Sequence, residues 1–294
     1  MCKQLIRFFY PLSGDESKYI KQEISAGNRP ALSINSRFKR WTTNLLCSIA
    51  NKPKPFNLEK VKGIIFDYGA TIDTNGKHWA ETLWDAYQDA NVPVTKDAFR
   101  DAYVYVERFF ATHSIIKPRD NFKAVLTAKT KFQIKWLIDN GFLNDDNNSS
   151  QYSVSISNKC YNFVCSVLTD AKPVLEKLKL KYPLVLVSNF YGNMEAVLND
   201  FGLDNYFEEI IESAKVNIRK PNPAIFELGV KALGLDSRNV VVIGDSWTKD
   251  IAPAQKTGCQ TIWLKGLTWE TCKEGQRANL VIDDFKKLEE VFNV

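Results

Sequence analysis

Short apolar runs recur along the chain from residue 61 onward, each bounded by polar or turn-forming residues. Runs at 61–66, 184–188, 240–244, 260–264 and 279–282 predict β-strands. Stretches at 171–181, 193–201, 223–233, 251–257 and 284–292 space their apolar residues near the helical period. Strands alternating with helices of this length predict a parallel sheet covered on both faces. Residues 79–170 interrupt the alternation. There, 79–90, 96–112, 121–140 and 157–168 predict four helices, Gly141 caps the third at its C-terminus, and the polar tract 144–150 is a loop. The expected architecture is α/β, a Rossmann-like parallel core over 60–78 and 171–294 with an all-helical insertion over 79–170. No internal repeat is present.

Residues 1–58 stand apart as an N-terminal extension, with turn and linker signals at 13–16, 27–30 and 51–55. Residues 37–49 fit one amphipathic helix with a basic start. An anchor to a surface or partner is one reading. A helix packed on the main domain, or a loosely ordered tail, is the reading favoured here. No partner for 1–58 is identifiable. The net charge of +5 sits in this part: residues 1–60 hold 11 Lys/Arg against 4 Asp/Glu, leaving 28 against 30 for the rest. The basic character therefore belongs to the extension, and no nucleic-acid partner is expected.

Composition adds limits. Hydrophobic content of 45% and charged content of 25% are those of a globular protein. No apolar run approaches the ~18 residues of a bilayer span. The six cysteines form no Cys-x-x-Cys pair and there are two histidines, which disfavours a zinc site. The first residues lack the apolar region of a signal peptide, so a reducing, cytoplasmic setting is expected.

Three predicted strand tips carry chemistry. Asp67 follows 61–66 and precedes Tyr68-Gly69-Ala70-Thr71. Ser188-Asn189 ends the second run, and Gly244-Asp245-Ser246 ends the third, with Asp250 five residues beyond Asp245. Lys220 comes between the second and third, in Lys220-Pro221-Asn222-Pro223-Ala224-Ile225-Phe226. In open α/β sheets ligands bind at such carboxyl-terminal strand tips. This ordered set resembles the haloacid dehalogenase-like (HAD) superfamily, and the helical insertion between the first two tips matches the position of its cap. The resemblance covers residues 60–294.

The resemblance implies an aspartate nucleophile at Asp67 and an aspartyl-phosphate intermediate. It implies a Mg²⁺ site from Asp67, the Gly69 carbonyl and Asp245, with Asp250 as the supporting acid of the metal group that orients a metal water or Lys220. Mg²⁺ suits one or two carboxylates plus waters. Ser188 and Asn189 would take a phosphoryl oxygen through a hydroxyl and a backbone N–H, Thr71 is grouped with them, and Lys220 would pair with the nucleophile and the phosphate. The substrate class implied is a small phosphorylated metabolite, and caps in the family cover the site and select substrates.

One position departs from the phosphatase pattern. Two residues after the nucleophile those enzymes carry a second Asp, and here Gly69 stands in its place. General acid–base assistance is worth about 10²–10⁴-fold. Three readings stay open: a substrate with a good leaving group, such as an acyl phosphate or pyrophosphate; a proton from elsewhere, with Asp73 and His78 nearest in sequence; or a phosphate-binding or partner-binding module with weak or lost catalysis. Asp73 reads first as a turn residue and His78 as a packed or solvent-facing one. Dehalogenase members lack the second Asp too, but typically lose the acidic motif that is intact here at Asp245 and Asp250. Phosphonatase-like members add a cap lysine. Lys117, Lys123, Lys129, Lys131 and Lys135 lie in the insertion and read as a solvated helix face. Trp79, Trp84, Tyr103 and Phe109 fit a core better than a pocket at their helical spacing.

Overall fold

A computed structural model of the chain describes residues 55–145, 149–269 and 275–294. The predicted helix at 37–49 lies outside the described residues. Six strands form one sheet: β1 (Gly63–Phe66), β2 (Leu184–Ser188), β3 (Glu209–Glu212), β4 (Val240–Gly244), β5 (Gln260–Leu264) and β6 (Leu280–Ile282). Their order is β3-β2-β1-β4-β5-β6 and every pairing is parallel. This is the Rossmann-like α/β core that the alternation predicts. β1, β2 and β4 are buried along their whole length, as central strands covered on both faces must be. Ile64, Phe66, Leu186 and Ile243 pack on one side of the sheet, and Ile65, Val185, Val187 and Val242 on the other.

β3 escaped prediction. Its sequence is Glu-Ile-Ile-Glu, with only two apolar residues, and it lies at the sheet edge. Glu212 turns inward, where its carboxylate accepts from the backbone N–H groups of Gly192 at 2.5 Å and Met194 at 3.3 Å. A charge satisfied in this way looks like a loop residue in a linear pattern.

Between β1 and β2 run α1 (Trp79–Asp89), α2 (Lys96–Thr112), α3 (Phe122–Asp139) and α4 (Ser149–Lys179). Their starts follow local capping. Thr95 accepts from the Ala98 N–H, and Asn121 from that of Ala124. The helices predicted separately at 157–168 and 171–181 are one helix, α4. Its buried stripe of Ile156, Cys160, Val164, Leu168, Ala171, Leu175 and Leu178 keeps the helical period across residue 170. That continuous packing outweighs the ~3 kcal/mol cost of Pro173 inside the helix. α4 therefore carries the chain from the insertion into the core without a break. Buried residues of the insertion, among them Tyr87, Phe99 and Leu137, belong to the same apolar cluster as Ile64 and Phe66.

The remaining helices are α5 (Met194–Asp200), α6 (Ser213–Val216), α7 (Ala224–Ala232), α8 (Ala252–Lys256) and α9 (Lys287–Phe292); a turn of π-helix, Trp247–Ile251, leads into α8. The last residues of the predicted N-terminal extension pack on this body. Phe56 meets Phe292 edge to face at 6.2 Å, and the Asn57 N–H donates to Gln260 Oε1. Among the described residues no helix is long and apolar enough to cross a membrane.

Candidate active site

The strand order reverses at β1, whose neighbours are β2 and β4. Phe66 pairs with Leu186 on one side and Ile243 on the other. The register therefore brings Asp67, Ser188 and Asp245 out at one edge of the sheet, at the crevice where open α/β sheets bind ligands.

Asp67 is buried, and both of its oxygens are engaged. Oδ1 accepts from the Lys220 ammonium at 2.5 Å, and Oδ2 from the Thr71 hydroxyl at 3.0 Å. Burial raises its pKa to about 6, more than the Lys220 charge and hydrogen bond lower it. Lys220 thus approaches as expected but does not bring the carboxylate below its ordinary value. Lys220 itself is buried between two acids, with Asp250 Oδ1 at 2.7 Å. Burial works against its charge; Asp250 and Asp67 outweigh this and hold its pKa above the ordinary lysine value.

Asn189 fixes the Lys220 backbone. Its Oδ1 accepts from Lys220 N at 2.9 Å, and its Nδ2 donates to Lys220 O at 3.2 Å. The Asn189 side chain is therefore spent on Lys220, while Ser188 faces the cavity beside Asp67. Thr71 has a different place from the substrate contact expected of it. It is fully buried behind the carboxylates, and its hydroxyl also accepts from the Asp245 N–H at 3.1 Å. It ties Asp67 to Asp245.

Asp67, Asp245 and Asp250 present carboxylate oxygens that all lie within 4.8 Å of one another. Lys220 is hydrogen-bonded to two of the three acids, and Lys249, on the same cavity wall, acts on Asp245. Burial, followed by the charges of Asp250 and Asp67, pushes Asp245 well above the carboxylate range. An all-oxygen donor set in which burial and mutual repulsion work against the carboxylate charges fits a hard divalent cation. Asp250 has its oxygens committed, Oδ1 to Lys220 and Oδ2 to the Ser246 N–H at 3.0 Å. Asp67 is hydrogen-bonded as fully, to Lys220 and Thr71, so the groups suited to such an ion are the three carboxylates together, with Gly69 on the same cavity wall.

A cavity of about 150 Å³ opens over these residues and is lined by Asp67, Gly69, Ser188, Lys220 and Asp245 among others. Of the two residues considered as a replacement acid, Asp73 does not reach the cavity and His78 does. Asp73 is buried off the cavity wall; its Oδ1 accepts from the Ala70 N–H at 2.7 Å and its Oδ2 from Trp79 Nε1 at 2.9 Å. Burial raises its pKa to about 8 against those bonds. His78 does line the cavity, but its Nδ1 accepts from the Ala80 N–H at 3.2 Å and caps α1. Trp79 and Tyr103 contribute to the wall, whereas Trp84 packs at a tilt against Phe99 and Phe109 stacks on His113.

Wall residues that the sequence did not point to include Glu107, Lys129, Tyr191 and Lys249. The Lys129 ammonium lies 2.6 Å from Glu107 Oε1, and the Tyr191 hydroxyl donates to Glu107 Oε2 at 3.1 Å. Lys129 had been grouped with a solvated face. The signal against that was its spacing: it lies four residues after Val125 and three after Leu126, on the buried side of α3. Lys131 and Lys135 are exposed.

The family model for haloacid dehalogenase-like hydrolases matches residues 150–258. A glyceraldehyde 3-phosphate phosphatase of Pyrococcus abyssi is 33% identical over 98 residues, 32% of this chain and 41% of that protein. The haloacid dehalogenase-like hydrolase domain-containing protein 3 of Danio rerio is 30% identical over 135 residues, 43% and 52% respectively. The chain thus spans about half or less of the length of these relatives. The crystal structure of the HAD-hydrolase YfnB of Bacillus subtilis, bound to magnesium, is similar in fold, with a TM-score of 0.50 at 19% identity over 80% of this chain and 99% of that one. The parallel sheet and the ordered motifs at its tips are similar to those of the haloacid dehalogenase-like superfamily, whose hydrolase family model matches the second half of the chain over residues 150–258.

Proposed function

We propose that the protein is a Mg²⁺-dependent hydrolase or phosphotransferase of small phosphorylated molecules that works through an aspartyl-phosphate on Asp67. The observation that carries this reading is the convergence of Asp67, Ser188, Lys220, Asp245 and Asp250 on one cavity from separate parts of the chain. Asp67 attacks phosphorus, the bond to the leaving oxygen breaks, and water then attacks the aspartyl-phosphate. Lys220 neutralises phosphoryl charge, held in place by Asp250 and Asn189. Ser188 and the Asn189 main-chain N–H take phosphoryl oxygens. Mg²⁺, held by Asp67, Asp245 and the Gly69 carbonyl, would supply the positive charge that the phosphoryl oxygens need. Thr71 keeps the two metal-side carboxylates in register.

The identity of the curated relatives supports a phosphorylated substrate, and the magnesium in the similar YfnB structure supports the metal. We read 60–78 and 171–294 as the catalytic core and 79–170 as a substrate-selecting cap, joined to the core through α4. The free thiols of Cys160, Cys165 and Cys259 suit a reducing compartment such as the cytoplasm. Lys129, a cap lysine on the cavity wall, has its charge held by Glu107, which argues against a phosphonatase-type imine.

With no acid at Gly69, and with Asp73 and His78 placed as they are, the substrate should bring a good leaving group. The same observation favours a second reading, a phosphate-binding module without turnover. Release of phosphate from acetyl phosphate, measured with and without Mg²⁺ for the protein and for Asp67→Asn, separates them. Mg²⁺-dependent turnover lost in Asp67→Asn supports the enzyme; phosphate binding with no turnover supports the binding module.

A further inference from the structure

We infer that Glu107, Lys129 and Tyr191 form a specificity site that reads a hydroxyl group on the leaving part of the substrate. The inference rests on the phosphoryl-transfer reading above and names what that reading leaves open.

The three side chains come from different elements. Glu107 is on α2, Lys129 on α3, and Tyr191 three residues beyond Ser188. They meet on the wall of the cavity that holds Asp67 and Lys220. Lys129 also lies 5.0 Å from the centre of the Tyr191 ring. The Lys129 and Glu107 side chains are 15% and 29% exposed. A charged pair buried this far gives little net stability over a well-packed apolar pair. Its position on the cavity wall points to a use other than holding the fold.

The chemistry of the three groups selects the ligand. A carboxylate has about four acceptor sites and an ammonium three donors. Glu107 spends one on Lys129 and one on Tyr191, and Lys129 spends one on Glu107. Acceptors and a donor remain side by side. A hydroxyl uses both, since it donates to the carboxylate and accepts from the ammonium. A cation would meet Lys129 and, on the same wall, Lys249; an anionic group would meet Glu107 directly; and an apolar group would desolvate the pair without replacing its water. Neither residue is a proton donor here. Burial opposes the Glu107 charge, but Lys129 and Tyr191 reverse this and hold its pKa below the ordinary value; the Lys129 pKa is held above its own. The small cavity and its aromatic wall of Trp79, Tyr103 and Phe122 limit the leaving group to a few atoms around that hydroxyl.

Acetyl phosphate and glycolyl phosphate differ by one hydroxyl and both have acidic leaving groups, so their ratio of kcat/KM tests the inference directly. A site built to bond a hydroxyl should favour glycolyl phosphate by about tenfold or more. In the double variant Glu107→Gln/Lys129→Met, which leaves no lone buried charge, the ratio should fall to near one. Tyr191→Phe should lower it in part. A merely structural role would depress both substrates alike and leave the ratio unchanged. A ratio near one in the unaltered protein, an unchanged ratio in the double variant, or a preference for succinyl phosphate over glycolyl phosphate would each overturn the inference while leaving phosphoryl transfer standing. Turnover of none of these substrates would overturn both.

Discussion

The Lys220 ammonium lies 2.5 Å from Asp67 Oδ1, and it is held there from behind by Asp250 at 2.7 Å. One cation is shared by two buried acids, with Asp245 adjoining them. Removing the cation should therefore cost more than a lost hydrogen bond. In Lys220→Met the carboxylates face each other uncompensated, a loss of about 3–5 kcal/mol for a broken buried pair. For a chain of this size that corresponds to a fall in Tm of roughly 6–20 °C. Mg²⁺ should restore more of the Tm in Lys220→Met than it adds to the unaltered protein, because it replaces the missing charge. Thermal denaturation with and without Mg²⁺ checks both. A variant that melts like the parent would show that the acids do not depend on Lys220.

The metal-side acids make a second expectation. Asp245 offers its carboxylate to the cluster, whereas Asp250 is committed to Lys220 and the Ser246 N–H. Asp245→Asn should weaken Mg²⁺ binding by at least about tenfold, on the scale of a lost charged ligand in a site with few protein ligands. Asp250→Asn should act mainly on Lys220, lowering turnover with a smaller change in Mg²⁺ affinity. Calorimetric titration of Mg²⁺ into each variant distinguishes the two roles. Equal losses of affinity would make Asp250 a direct ligand.

Glu107 and Lys129 set a pH window. The Glu107 pKa is lowered in the folded state, so its contribution is present above the unfolded value of 4.5 and is lost as pH falls through the folded one. The Lys129 pKa is raised, so its contribution is present below the unfolded 10.5 and is lost as pH rises through its folded value. The charge-dependent part of the pair's contribution, small as its net total is, should therefore be largest between about pH 4.5 and pH 10.5 and fall away on both sides. Glu107→Gln/Lys129→Met should show shallower acid and alkaline limbs in a plot of stability against pH. Denaturant unfolding across the range gives this directly, and identical limbs would mean that the pair is not linked to folding.

The gathering of Asp67, Ser188 and Asp245 at one edge was legible because they sit on strand tips. Apolar runs ending in Asp67, Ser188 and Gly244-Asp245 announce both the sheet and its edge, and Lys220-Pro221 marks the lysine between them. What was not legible depends on tertiary context. Glu212 hides an edge strand by spending its charge on the turn before α5. Asp170 and Pro173 suggest a break in α4 that a continuous buried stripe overrides. Thr71 lies four residues after Asp67 in sequence, and only the fold shows that it faces Asp245 rather than the cavity. Glu107 and Lys129 are 22 residues apart on separate helices, and nothing local distinguishes them from surface charges except the side of the helix on which they fall.

Gly69 gives the sharpest test of the leaving-group reading. Its φ is outside the left-handed region, which is taken up by the next residue, Ala70, at 65°. A Cβ added at Gly69 would come no closer than 3.9 Å to Trp79, an ordinary contact. The backbone at Gly69 therefore accepts a side chain without strain, and its first carbon without a clash. In the unaltered protein, acyl phosphates should turn over far faster than alkyl phosphates, since only the former leave without a proton. Gly69→Asp should raise alkyl phosphate hydrolysis by up to about 10²–10⁴-fold, with acetyl phosphate little changed and Mg²⁺ affinity retained. Rates for ethyl phosphate and acetyl phosphate, with and without the substitution, decide the matter. Similar rates for both substrates in the unaltered protein would mean that a proton donor is already present. His78, the candidate on the cavity wall, would then be the residue to change, and His78→Gln should slow ethyl phosphate alone.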